Sequence, residues 1–308
     1  MAKADVGVSI LCWKKYGDSV ACIDSLLQST HNIQKIVVTD NASNDGSLEK
    51  LKEKYSNMQN IVFIENRDNL GFAKGMNVGI RILLDSDCEY ILPLNQDTVM
   101  APDMIDECLR AVKTNPEMTI IGPRIYYANP PNKIWHGGAY FSLIKSGIVN
   151  PEKNRFDSQC DNHPREVTFL TACAILVHRK VFAHIGSFDE DYFFYSEDLD
   201  FCYRAKSAGH KMWYVPSAKV WHNISGIAKD RTGDFALYNM AMSNIIFLRK
   251  NFPKVYTAYG IMIQLLLFSP FRMLQICRGS KSLKAAFAWF KGTWHGLRKP
   301  LRSCKKML

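Results

Sequence analysis

No two of the nine cysteines form a C-x-x-C pair, and none sits in a Cys/His run with zinc-ligand spacing. An odd number without a framework excludes a disulfide-stapled fold and points to reduced thiols in a cytosolic compartment. Long apolar runs are missing too. The most apolar stretch, Tyr256–Cys277, is interrupted by Gln264, Ser269, Pro270, Arg272 and Gln275, well short of the ~20 residues that a spanning helix requires. The N-terminus, MAKADVGVSILCW, runs straight into a strand pattern without an apolar stretch and small-residue cleavage site, so no signal peptide is expected. Acids are scarce at the other end, where Arg272, Arg278, Lys281, Lys284, Lys291, Arg298, Lys299, Arg302, Lys305 and Lys306 meet almost none.

What remains is an ordinary globular composition. The 308 residues are 47% hydrophobic and 22% charged, enough for one large α/β domain with an appendage and against wholesale disorder. A net charge of +10 favours an anionic partner: nucleic acid, anionic lipid or a phosphorylated small molecule. The basic residues pile up in the tail instead of interleaving with aromatics along a groove, which speaks against nucleic acid. An apolar, basic C-terminal segment instead reads as an interfacial membrane contact. Packing on the domain or on a second subunit, hence a homo-oligomer, is the alternative reading.

The first part alternates short apolar runs with amphipathic patterns. Strands are expected at Val6–Cys12, Lys35–Thr39, Ile61–Ile64 and Tyr90–Leu94, with helices at Ser19–Ser29, Leu48–Tyr55 and Ala73–Leu84. Such βαβ units imply a mostly parallel sheet covered on both faces, with ligands beyond the carboxyl ends of the strands. Pro130–His163 reads as a loop-rich flap and Thr168–His178 as a long apolar strand. A helix over Glu197–Ala208, capped at Gly209, precedes short strands at Lys211–Val215 and Lys219–His222. The catalytic part is expected to span residues 1–228, and a helical segment residues 229–308.

Five constellations carry chemistry. Asp40 and Asn41 open a polar turn directly after a strand, where a carboxylate can accept hydrogen bonds from a base or ribose; an ordinary Asx turn is the plain alternative. In Asn69-Leu70-Gly71-Phe72-Ala73-Lys74-Gly75 the glycines permit close backbone approach, and a helix terminus with Lys74 favours a diphosphate. The stretch fits neither G-x-G-x-x-G nor a P-loop, which argues against a dinucleotide dehydrogenase and a P-loop NTPase. Asn95-Gln96-Asp97 closes another strand, and its carboxylate can bind a divalent cation. Phe188–Arg204 mixes six acids with aromatics, where burial and like charge raise a carboxylate's pKa and suit it to act as a base. Asp198 and Asp200 cannot share one helical face, so at most one of them points into a site. Finally, His222 ends the last strand, a position from which it can reach the cation on Asp97.

In this order DNASND, NLGFAKGMNVG, LNQDT, IGPR, WHGG, TACAILVHR, IGSFDEDYFFYSEDLDFCYRA and YVPSAKVWHNISG resemble family 2 glycosyltransferases, and within them the bacterial rhamnosyltransferases. The resemblance covers about Val6 to Ile227. It implies a GT-A fold, a nucleotide-diphospho-sugar donor, inversion at the anomeric carbon and a divalent cation, Mg²⁺ or Mn²⁺. Carried over motif by motif, Asp40 is similar to the residue that holds the nucleotide base, with Asn41, Gly71, Lys74, Asn95 and Gln96 also on the donor. Asp97 resembles the last acid of a DxD motif and His222 the late histidine that completes the metal site. Asp198 is similar in position to the catalytic base, Glu197 supports it, and Trp135 and Tyr195 are placed on the acceptor side. Two departures stand out: Asn95 replaces the first acid of DxD, and Ser243-Asn244 replaces an Arg-Asn pair, so no site role is expected there. The resemblance favours L-rhamnose from dTDP-L-rhamnose, with a lipid-linked glycan acceptor at the inner face of a bacterial membrane. The alternatives are a UDP-sugar hexosyl- or galactofuranosyltransferase and a non-catalytic scaffold.

Overall fold

A computed structural model describes residues 4–145, 147–224, 233–268 and 283–302. The first third alternates as its periodicity demands: β1 (Val6–Cys12), α1 (Tyr16–Leu27), β2 (Ile33–Asp40), α2 (Ser47–Lys54), β3 (Ile61–Glu65), α3 (Gly71–Leu84) and β4 (Tyr90–Asn95). Then follow β5 (Thr98–Met100), α4 (Met104–Thr114), β6 (Met118–Tyr127), β7 (Ile134–His136), β8 (Tyr140–Ser142), β9 (Gly147–Val149), β10 (Arg165–Val167), β11 (Leu176–His178), α5 (Arg179–Ile185), α6 (Glu197–Ser207) and β12 (Lys211–His222). Three helices close the described chain: α7 (Asp234–Asn251), α8 (Lys254–Ile263) and α9 (Leu283–Arg298).

The main sheet runs β10-β12-β6-β11-β4-β1-β2-β3, with β5 on β12 and β7 on β6. β3, β2, β1 and β4 are parallel, as are β6 and β12, while the short β11 lies antiparallel between β4 and β6. Alternation along the strands divides the core by face. Val6, Val8 and Ile10 of β1 meet α1 and α4 on one side; Val37 of β2 and Ile91 of β4 meet α3, α5 and α6 on the other. Both faces are covered, which is why these strands read as nearly unbroken apolar runs.

Two expected elements differ. Within Thr168–His178 only Leu176–His178 is strand; Phe169, Leu170, Ala172, Cys173 and Ala174 are buried but irregular. Their backbone is divided between two neighbours, Phe169 exchanging bonds with Ala139 while the Cys173 carbonyl accepts from Asn95 N at 2.9 Å. Apolar residues report burial here, and the chain turns under the cleft instead of running straight. Conversely, Lys211–Val215 and Lys219–His222 are one strand, whose register on β6 shifts between Val215 and Lys219. The bulge lets one continuous ladder absorb Pro216, which has no N–H to donate.

The excursion between β6 and β11 is held by a buried cation. Arg124 is fully buried, with Nε donating to the Tyr214 hydroxyl at 2.6 Å and Nη2 to the Asp161 carbonyl at 2.5 Å. Glu152, also buried, accepts from Arg165 at 2.6 Å and from the Tyr214 hydroxyl at 2.9 Å. These pairs fasten residues 152–165 to β6 and β12, and so fix β7, which carries Trp135 and His136.

The C-terminal helices are not a loose tail. α7 contributes Met242, Ile246 and Phe247 to the core shared with α3 and α6. α9 lies directly on α7: a Cβ at Gly292 would stand 2.2 Å from the Tyr238 carbonyl oxygen, and one at Gly296 2.7 Å from that of Met242. The expected boundary at residues 228/229 lies outside the described residues, as does Ile227. Among the described residues no helix is long and apolar enough to cross a membrane, and seven cysteines are all free thiols.

Candidate active site

A cleft of about 1420 Å³ opens beyond the carboxyl ends of β1 and β4, where an α/β sheet places its ligands. Two loops supply its chemistry. The first is Asn95–Asp97. β5 follows at once and pairs with β12 so that Thr98 stands opposite His222, and this register brings Asp97 Oδ1 to 3.1 Å from His222 Nε2. The Trp135 ring stands edge-on to the imidazole, centroids 4.5 Å apart. Burial by itself lowers the His222 pKa, but the neighbouring Cys173 and Asp97 outweigh it and raise it to about 10. Asn95 Oδ1 is buried with no hydrogen-bond partner among the described residues.

The second loop precedes α6. Tyr195 and Ser196 both take left-handed conformations, φ 70° and 64°, a strained arrangement for side-chain-bearing residues. The turn delivers Glu197 and Asp198 to the cleft at the N-terminus of α6. Burial raises the Asp198 pKa, against hydrogen bonds from Leu199 N, Thr171 and Ala172 N that favour the charged form. Glu197 is driven well above the usual range by burial and then by the charge of Asp198, and its Oε2 has no hydrogen-bond partner among the described residues. Asp198 is therefore the member of the pair that ionises first. Cys173, on the cleft floor, feels the charges of His222, Asp97 and Asp198 together.

The strained turn is gripped from two sides. Phe72 N, in the first turn of α3, donates to the Phe193 carbonyl at 2.7 Å. From α7, the Ser243 hydroxyl donates to the Phe194 carbonyl at 2.9 Å, and the Ser196 hydroxyl bonds Asn244 Oδ1 at 3.2 Å. Asn244 and Met240 also line the cleft, so α7, where no site role was expected, forms part of its wall. Gly71 has φ +76°, and a Cβ there would stand 2.4 Å from the Phe193 carbonyl oxygen. Gly71→Ala is expected to lose about 1–3 kcal/mol from the backbone strain alone, seen as an earlier urea midpoint. An unchanged midpoint would show that the grip is dispensable.

The remaining acids of the motif are structural. Asp200 accepts from Arg204 Nε at 2.6 Å, from Asn251 at 2.9 Å and from the Tyr192 hydroxyl at 3.2 Å. Glu190 pairs with Arg81 at 3.1 Å, while Asp189 and Asp191 both bind Lys250. Of Asp198 and Asp200, only Asp198 lines the cleft.

Of the residues expected on the donor, Asn41, Gly71, Asn95 and Gln96 line the cleft, and Lys74 and Asp40 do not. Lys74 is exposed on α3 and is absent from the cleft lining, because a helix start leaves a long side chain free to point outward. Asn41 lines the cleft but spends its amide on the chain: Nδ2 donates to Asn69 Oδ1 and the Gly71 carbonyl, and Oδ1 accepts from Asn66 and Leu70 N. Gln96 likewise clasps Trp13, accepting from its N–H at 2.8 Å and donating to its carbonyl at 3.1 Å. Asp40 is buried, accepts from the N–H and hydroxyl of Ser43, and lines a separate cavity of about 230 Å³. Trp135 and Tyr195 do line the cleft. The sequence reading missed Trp13, Lys14 and Lys15, which follow β1 and line the same wall, the two lysines in left-handed conformations. The rule of strand carboxyl ends was the available signal. His136, also on the lining, is pushed down to about 3 by burial and by Lys153, so its imidazole is neutral.

A family model described as "Glycosyl transferase family 2" matches residues 16–186, more than half of the chain. The chain belongs to glycosyl transferase family 2. Among its relatives in this family is the N-acetylglucosaminyl-diphospho-decaprenol L-rhamnosyltransferase of Mycobacterium tuberculosis, 28% identical over 218 residues that cover 65% of this chain and 69% of the relative. The dTDP-rhamnosyl transferase RfbF of Shigella flexneri is 25% identical over 227 residues, 70% of this chain and 71% of RfbF. The mannosyltransferase PcManGT from Pyrobaculum calidifontis, solved in complex with GDP-Man and Mn²⁺, superposes with a TM-score of 0.58 at 13% identity, covering 97% of this chain and 82% of that one. At that identity the superposition speaks for the fold alone, and the fold is GT-A. The protein is a glycosyltransferase of this family, similar to bacterial rhamnosyltransferases.

Proposed function

We propose that this glycosyltransferase moves L-rhamnose from dTDP-L-rhamnose to a hydroxyl of a lipid-linked glycan, with inversion, at the cytoplasmic face of the membrane. The observation that carries the reading is one cleft lined by Asp198, Cys173 and the hydrogen-bonded Asp97–His222 pair. The likeness to an L-rhamnosyltransferase and a dTDP-rhamnosyl transferase supports the choice of sugar.

Asp198 takes the proton of the acceptor hydroxyl as that oxygen attacks the anomeric carbon; the bond from that carbon to the diphosphate breaks, and the nucleoside diphosphate leaves. Glu197, kept protonated beside it, holds Asp198 as the single charge of the pair. Lys14 and Lys15 face the cleft as cations for the phosphates, in place of Lys74. Asp97, His222 once it releases the proton that its raised pKa holds, and the orphaned Asn95 Oδ1 would form an oxygen and nitrogen donor set suited to Mn²⁺ or Mg²⁺. Among the described residues there is no cluster of three or more His, Cys, Asp or Glu able to hold a metal, so remaining ligands would come from diphosphate and water. When bound, the cation neutralises charge developing on the departing diphosphate. Trp135 and Tyr195 wall the side on which the acceptor sugar enters.

The test combines calorimetric binding with nucleoside-diphosphate release for dTDP-L-rhamnose, UDP-hexoses, UDP-galactofuranose and GDP-mannose, with Mn²⁺ or Mg²⁺ and with EDTA. Binding and release are expected for dTDP-L-rhamnose, weakened by EDTA and restored by metal. Preference for a UDP-sugar would replace the donor, and tight metal-independent binding would remove the role given to Asp97 and His222.

A further inference from the structure

The hairpin β8–β9 ends in Leu143 and Ile144, whose side chains stand 54% and 83% exposed. Their carbonyls do not face solvent: Tyr256 and Tyr259 of α8 donate their hydroxyls to them at 2.6 and 2.9 Å. The tip is thus fastened to α8 by its backbone while its apolar side chains point away. α8 and the turn after it continue the pattern with exposed Val255, Met262 and Leu266. α9 is two-faced. Ala288, Trp289, Gly292, Thr293 and Gly296 face α7, while Phe287, Phe290, Trp294 and Leu297, spaced as one stripe, are exposed. Gln264, which bonds both the Ala241 carbonyl of α7 and Thr293 of α9, ties the end of α8 to both helices.

Charge accompanies these helices: α8 and α9 carry Lys254, Lys284, Lys291 and Arg298 and no Asp or Glu. After Asn251 the chain has eleven Lys and Arg and no Asp or Glu, so the preceding part holds 28 basic against 29 acidic side chains. Arg298 lies over the Trp294 ring at 3.8 Å. Lys145 and Ile148 of the hairpin, and Gly260, Gln264 and Trp289 of the helices, also line the catalytic cleft.

We infer that the hairpin tip, α8 and the outer stripe of α9 form one docking surface for an anionic lipid bilayer, and that the cleft opens at its edge. The apolar side chains enter the boundary between headgroups and acyl chains while the lysines and arginines reach the phosphates. A second copy is a poorer occupant, since a symmetric contact would bring the same acid-free basic face against itself. The inference deepens the reading above and rests on it for the lipid-linked acceptor, which would then enter the cleft directly from the bilayer.

Truncation is the wrong test, because removing α9 uncovers the face of α7 on which it lies. The full chain is instead floated with phosphatidylcholine vesicles and with 3:1 phosphatidylcholine–phosphatidylglycerol vesicles, alongside calorimetric binding of dTDP-L-rhamnose. Binding is expected to the anionic vesicles and to fall with salt. The double variant Leu143→Ser/Ile144→Ser should bind them about tenfold more weakly, with donor binding and melting temperature unchanged; Phe287→Ser/Trp294→Ser should behave alike. Wild-type vesicle binding by the hairpin variant overturns the surface as drawn. So does absence of vesicle binding with donor binding intact, which leaves the proposed reaction standing. Vesicle binding without donor binding has the reverse meaning. Sedimentation showing a dimer that the hairpin variant abolishes would assign the face to a second copy.

Discussion

Asp198→Asn is expected to fold and to bind nucleotide sugar as the parent does, yet to transfer sugar at least ~10²–10⁴-fold more slowly. The substitution keeps the shape and the oxygen that accepts from Leu199 N at 2.8 Å, and removes only the site for the acceptor's proton. Asp200→Asn, two residues on, should behave differently. It weakens the ion pair with Arg204 and is read as a lower melting temperature. Comparing kcat and melting temperature for the two variants separates chemistry from architecture; a wild-type rate for Asp198→Asn would move the base elsewhere. The pH profile gives an independent reading. Because burial raises the Asp198 pKa above its ordinary 3.8, the carboxylate is lost to protonation sooner as pH falls. The acid limb of kcat/KM should therefore lie above the range of a free aspartate, and a limb within that range would contradict the assignment.

Lys250→Met is expected to destabilise the fold by about 3–5 kcal/mol at pH 7, the cost of leaving buried charges without their partner. Lys250 Nζ lies 2.7 Å from Asp191 and also binds Asp189; both carboxylates are 6% exposed. Methionine replaces the aliphatic stem but not the charge, so two neighbouring carboxylates remain on the loop that leads to Glu197 and Asp198. The sign of the pH dependence follows from the Asp191 pKa. Burial raises it, but Lys250, Arg302 N and Lys299 outweigh that and hold it below the ordinary value. Its contribution is complete above the unfolded pKa and is lost as pH falls through the folded one. The gap between parent and variant in urea denaturation should therefore be full at pH 7 and narrow toward pH 3. A loss below about 1 kcal/mol at pH 7 would mean that the clamp carries little.

Both predictions concern one acidic stretch, and that stretch shows where sequence reading reaches its limit. The spacing of Asp198 and Asp200 establishes that they face opposite ways on α6. It does not say which faces the cleft, because that depends on Arg204, Tyr192 and Asn251 gathering around Asp200. Asn41 and Gln96 sit at strand ends, where ligand contacts are expected, but their amides are engaged by chain up to 83 residues away. Lys74 stands beside a helix start, yet direction, not proximity, decides whether a cation meets a phosphate. The apolar run Phe169–Ala174 was legible as buried and illegible as bent, since hydrophobicity carries no information on which neighbour takes the backbone hydrogen bonds.

By itself the sequence determined the alternation of β1 through β4 with α1 through α3, because side-chain periodicity and local hydrogen bonding act over a few residues. It also pointed to the strand ends, where the cleft lies, and carried the motif order that marks a family 2 glycosyltransferase. Only the tertiary structure decided that His222 meets Asp97, which needs the pairing of β5 with β12. The same holds for α7 walling the cleft and for the burial that raises the Asp198 pKa. A partner across the fold, and the exclusion of water around it, are properties of packing between distant segments, and no local pattern encodes them.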